Sequence, residues 1–90
     1  MRPATPTDAT ALALIALAST LSDERRAQRF LELSGLSPNG LRERAAEPAV
    51  LIALLGFLEA HEPDLLAVAE EVGVEPAALA SARRRLESGE

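Results

Sequence analysis

The sequence predicts an all-α fold: a compact bundle of about six short helices, arranged as two tandem three-helix pseudo-repeats. Three observations predict it. The apolar share of 48% is almost wholly Ala, Leu, Val and Ile, with Phe30 and Phe57 the two aromatic residues; Ala and Leu favour helices, whereas strands draw on β-branched and aromatic residues. Pro38 follows Ser37 and Pro76 follows Glu75, and a proline at the first helical position loses only an N–H that would have had no partner there. One phrase is also written twice. A shift of 38 residues carries Gly35-Leu36, Pro38 and Leu41 onto Gly73-Val74, Pro76 and Leu79. The same shift carries Ala27, Phe30, Leu31 and Ser34 onto Leu65, Val68, Ala69 and Val72. Three short helices cannot bury their own apolar faces, but two such units placed together can.

The elements follow in order. Residues 1–7, with two Pro and no periodicity, are expected to form a loose arm before a single helical domain over 8–87, with a short polar end at 88–90. Thr7 or Asp8 caps the first helix by accepting from its exposed N–H groups. Leu14, Leu17, Ala18 and Leu21 form one stripe at helical spacing. Ser22 opens the second helix, with Asp23 and Glu24 in its positive first turn. Ala27, Phe30, Leu31 and Ser34 line its inner face; Arg25, Gln28, Arg29 and Glu32 line its outer face. Gly35 ends it in the left-handed conformation, and Ser37-Pro38 restarts a short third helix that ends near Ala46.

Pro48 opens a fourth helix, apolar nearly all round and therefore the expected buried axis. Glu62-Pro63 starts the fifth, with Leu65, Val68, Ala69 and Val72 inward and Asp64, Glu70 and Glu71 outward. Gly73-Val74 repeats the glycine corner, and Glu75-Pro76 starts a sixth helix that fades through Arg83-Arg84-Arg85.

Composition also excludes. A domain of 90 residues buries only roughly 60–65% of the surface its unfolded chain exposes, so its core is thin. There is no Cys, hence no disulfide and no thiolate site, in keeping with a cytoplasmic location. The exclusive use of Arg among the basic residues fits bacterial, GC-rich coding. A net charge of −5 argues against broad binding to nucleic acid or an anionic membrane. The apolar runs 11–18 and 49–58 fall short of the roughly 20 residues that a membrane span needs. The first run could serve as a signal-peptide core, but Asp8 precedes it and the repeat claims it for the fold.

Chemistry-bearing patterns are sparse. His61 is the single histidine, so a zinc site lacks its usual ligands, and a capping or surface role is expected. Glu59, Glu62 and Asp64 near it could at most hold a cation weakly, without the spacing of a calcium loop. The serines show no nucleophile elbow, and the isolated glycines form no phosphate loop. Glu70 and Glu71 point about 100° apart on a helix and do not share a site. No catalytic residue, cofactor or metal is therefore expected. The remaining feature is a cluster of Arg25, Arg26, Arg29, Arg42 and Arg44. It reads either as an ordinary solvated face with local ion pairs or as a docking patch for an acidic protein partner.

The phrases Arg29-Phe30-Leu31, Gly35-Leu36-x-Pro38-x-x-Leu41-Arg42 and Phe57-Leu58, spread over about Asp8 to Leu86, resemble the small alphaproteobacterial family of domain of unknown function 3572. That family often carries an acidic residue where this chain has Gly56. The resemblance implies a short cytoplasmic helical protein without an assigned activity, and it carries over no catalytic residue.

The leading expectation is a non-catalytic protein-interaction or adaptor module using the five arginines. The alternative is a helix-turn-helix DNA-binding regulator, with Asn39, Arg42 and Arg44 of the third helix reaching bases. A pocket lined by Glu59, His61 and Glu62 would instead favour an enzyme. A homodimer is a further expectation, because Leu12 or Leu66 falls off the main stripes.

Overall fold

The computed structural model describes residues 8–89, and the arm expected at 1–7 and the last residue lie outside them. The described residues fold into six helices: α1 (Ala9–Leu21), α2 (Glu24–Ser34), α3 (Pro38–Arg44), α4 (Pro48–Ala60), α5 (Glu62–Val72) and α6 (Pro76–Glu87). No strand occurs among them.

Local chemistry sets the boundaries. The Asp8 carboxylate accepts from the Thr10 N–H at 2.8 Å and starts α1. Asp23, rather than Ser22, caps α2 by accepting from the Arg26 N–H at 3.0 Å. Ser22 instead closes α1, its N–H donating to Ala18 O and Ser19 O. Ser37 caps α3 through the Gly40 N–H, with Pro38 in its first turn. Gly35 and Gly73 both take positive φ, 74° and 87°, a region that side chains with a Cβ enter at a cost. The two corners close differently beyond that point. Val74 N–H donates to Ala69 O at 3.0 Å, completing a backbone cap, while Leu36 N–H is met by the Ser34 hydroxyl at 3.2 Å.

α4 is the axis, as its sequence requires. Val50, Leu51, Leu54, Leu55, Phe57 and Leu58 are all buried. α6 lies against both α4 and α1; α5 packs on α1, α4 and α6; α2 packs on α1 and α4. Phe30 of α2 meets Phe57 of α4 with ring centroids 5.6 Å apart, a tilted pair that adds to the simple burial of their area.

Four further expectations are corrected. The buried face of α1 is Ala9, Leu12, Ala13, Ala16, Leu17 and Thr20, so Leu12 is inside while Leu14, Ala18 and Leu21 are exposed. The helix contains no charged residue, and nothing in its own pattern marks which side meets water. α3 ends at Arg44, two residues early. Asp64, expected outward, is buried. α6 does not fade: Leu79, Ala82 and Leu86 are buried along it.

The doubled phrase survives as spacing and changes as packing. α2 and α5 start and stop 38 residues apart, and so do the starts of α3 and α6. The contacts of α2 with α1 and α4 have counterparts in those of α5 with α4 and α1. Those of α6 have none, because α3 packs extensively on no other helix. Leu41 is its one buried side chain.

Candidate functional site

The five arginines differ in burial and in partners. Arg26 is buried, and its guanidinium donates to the Ser19 carbonyl at 3.0 Å and to the Glu71 carboxylate at 3.1 Å. The Ser19 hydroxyl donates to the same carboxylate at 2.6 Å, so α1, α2 and α5 meet in one polar knot. This knot holds the Glu71 carboxyl below its ordinary value, first through the Ser19 hydroxyl and then through Arg26, against the opposing effect of desolvation.

Arg29 grips Asp64 with two bonds, Nε at 3.1 Å and Nη2 at 2.7 Å. The Asp64 bond raises the Arg29 pKa. The forked geometry suits a planar guanidinium, and Asp64 sits in the positive first turn of α5. Arg26 and Arg29 are therefore struts between α2 and α5. Arg44 pairs with Glu47 at 3.0 Å within its own turn. Arg25 and Arg42 are exposed and, among the described residues, form no ion pair; Arg42 donates to the Asn39 side chain at 2.7 Å. Asn39 and Arg44, proposed as base readers, are thus engaged locally on a helix two turns long.

His61 lies between α4 and α5, where a recess is lined by His61 and Glu62 but not by Glu59. Its Nδ1 lies 2.9 Å from Phe57 O, and a protonated Nδ1 would donate there; its ring stacks 4.6 Å from that of Phe57. Glu59 is taken by Arg83, and Asp64 by Arg29. Among the described residues no cluster of His, Cys, Asp or Glu is arranged to hold a metal ion. No helix there is long and apolar enough to cross a membrane.

What α3 leaves open is a cleft. Leu17 and Leu21 of α1, Leu31 of α2, and Pro38, Leu41, Arg42 and Ala45 line a recess of about 250 Å³. Leu21 is 39% exposed at its edge, and Arg42 supplies its one charge. The 38-residue shift places Leu21 opposite Glu59 and Ala45 opposite Arg83. In the second half, Arg83 reaches from α6 to the Glu59 carboxylate on α4 and clasps the two helices. That bond raises the Arg83 pKa, with Glu87 adding to it. At the positions 38 residues earlier both side chains are apolar and α3 has ended, so no such clasp is made beside the cleft.

Sequence reasoning found Arg42 but missed Leu21, Leu31, Leu41 and Ala45. A signal was present in the same 38-residue shift. It sets an apolar pair against an oppositely charged pair, marking the corner that one half locks and the other does not.

The molecule is thus a small all-α domain with an apolar cleft, edged by Arg42, beside its short third helix. The chain belongs to the family described as "Protein of unknown function (DUF3572)", whose model matches residues 6–89. No curated protein and no solved structure matches it.

Proposed function

We propose that the protein is a non-catalytic interaction module, and that it docks an acidic, apolar segment of another protein in the cleft between α1, α2 and α3. A cytoplasmic setting goes with this role. One observation carries the reading: an exposed apolar recess with a cation at its rim that has no ion pair among the described residues. Apolar area supplies affinity, and a rim charge selects the sign of the partner. Of the five arginines first considered, Arg42 is the one that lines this recess, with Arg25 exposed on α2. Arg26 and Arg29 serve the fold.

The test is capture from cell extract with cross-linking, followed by quantitative mass spectrometry. Wild-type protein is compared with Leu21→Glu and Arg42→Glu. The reading expects the same proteins to be lost with both substitutions. A partner list that neither change alters would remove it.

A further inference from the structure

The cleft also has a complement on the protein's own surface. Five large apolar side chains are exposed among the described residues: Leu14, Ile15, Leu21, Leu33 and Leu66. Leu21 belongs to the cleft itself. Leu14 and Ile15 lie on the uncharged α1 and offer nothing to Arg42. Leu33 stands one turn after Arg29, which carries the wrong sign. Leu66, 50% exposed, is different. Glu62 and Glu70 lie one turn before and one turn after it, on the same face of α5. Both are exposed, and among the described residues neither carboxylate has an ion pair.

We propose that the cleft receives Leu66 of a second copy of this chain, with the Glu62 and Glu70 carboxylates flanking Arg42. The inference rests on the reading of the cleft as a docking site and names one occupant. Size agrees with it: an apolar cavity of about 150 Å³ takes up benzene, so a cleft of about 250 Å³ has room for an isobutyl group. Charge agrees as well. Arg42 meets carboxylates that lack partners in the single chain, and the self-contact replaces by association the clasp that Glu59 and Arg83 form internally. One leucine and one charge bury little area, so the association is weak and concentration-dependent.

Sedimentation of the purified chain over a wide concentration range tests this, with circular dichroism checking that each variant keeps its helices. Wild type should self-associate. Leu66→Glu should weaken association about tenfold or more. The double substitution Leu21→Glu with Ala45→Arg, which copies the Glu59–Arg83 clasp into the cleft, should weaken it as much. Arg42→Glu should weaken it about fivefold or less, as an exposed charge does, and adding Glu62→Arg and Glu70→Arg should restore it. A chain that stays monomeric throughout, or a dimer indifferent to Leu66→Glu and to the copied clasp, overturns the proposal. A monomer that still captures extract proteins through Leu21 and Arg42 would overturn only the second-copy occupant. A cleft-dependent dimer that captures nothing would instead overturn the proposed function.

Discussion

Pro38 and Pro76 each start a helix after a left-handed glycine, at matching places in the two halves of the chain. From there the halves diverge. α6 runs for 12 residues, buries Leu79, Ala82 and Leu86, and lies along both α4 and α1. α3 runs for seven and buries Leu41 alone. The difference is written in the turns after the corner. Where α6 offers Ala82 and Arg83, the 38-residue shift finds Arg44 and Ala45. An arginine replaces a small core residue, and an alanine replaces the arginine that would clasp the neighbour. A repeated corner fixes where a helix begins; it does not fix what the helix packs against.

The largest perturbation should come from the part both halves share. Leu54 is fully buried on α4, and Leu54→Asp would leave a charge there without a partner. Losing the packing of the leucine costs about 2–5 kcal/mol and an unpaired buried charge about 3–5 kcal/mol more, which together rival the whole stability of a domain this size at roughly 0.05–0.15 kcal/mol per residue. The variant should be unfolded by circular dichroism at room temperature. A cooperative melt near that of wild type would end the description of α4 as the common axis.

The comparison itself is sharpened by truncating the equivalent leucines. Leu79→Ala should cost about 3–4 kcal/mol, because the site is enclosed and leaves a cavity. Leu41→Ala should cost about 1–2 kcal/mol, because the cleft already opens beside it and water can fill the space. Denaturant midpoints with unchanged slopes would measure both. Equal losses would mean that α3 is held as firmly as α6.

The glycine corners should behave alike. An added Cβ at Gly35 or Gly73 meets no atom within 4 Å, so Gly35→Val and Gly73→Val should each cost only the backbone strain of positive φ, about 1–2 kcal/mol. For a domain this small that lowers the melting temperature by roughly 4–16 °C. A much larger loss at one corner would show that its side chain clashes after all.

The smallest effect is the acid response of the knot between α1, α2 and α5. The Glu71 carboxyl is depressed below its ordinary 4.5, first by the Ser19 hydroxyl and then by Arg26. Asp23 is depressed below 3.8 by the N–H of Arg26 that it caps. A depressed carboxyl stabilises the fold above its unfolded value, and the contribution is lost as pH falls through the folded one. Stability should therefore hold from neutral pH to about pH 4.5 and decline below it. Glu71→Gln should flatten part of that decline. An unchanged acid profile would mean that Glu71 is solvated and the knot contributes nothing.

Much of this was legible in the chain. Asp8, Ser37 and the two glycine corners act as their types dictate, because caps and left-handed turns depend on neighbours a few residues away. The burial of α4 was legible because it carries hardly a polar residue to place elsewhere. α1 was not legible in the same way. It is apolar on every side, and which side is dry depends on where α4, α5 and α6 lie. Nothing local marks Arg26 or Asp64 as buried, since charged side chains usually avoid burial. Their partners lie 45 and 35 residues away along the chain, beyond the reach of any local pattern. The burial of Leu86 was readable in principle, since Leu79, Ala82 and Leu86 share one face of α6; the three arginines between Ala82 and Leu86 obscured it.

The sequence by itself determined six helices, their corners and the helix that must be buried, because backbone geometry, capping and hydrophobic content act over a few residues. Only the tertiary structure decided that Arg26 and Arg29 are struts, that α6 is locked by Arg83 and Glu59, and that the matching corner beside α3 stays open. Ion pairs and clefts exist only between segments that folding brings together, and their energies depend on distance and water access that no linear order specifies.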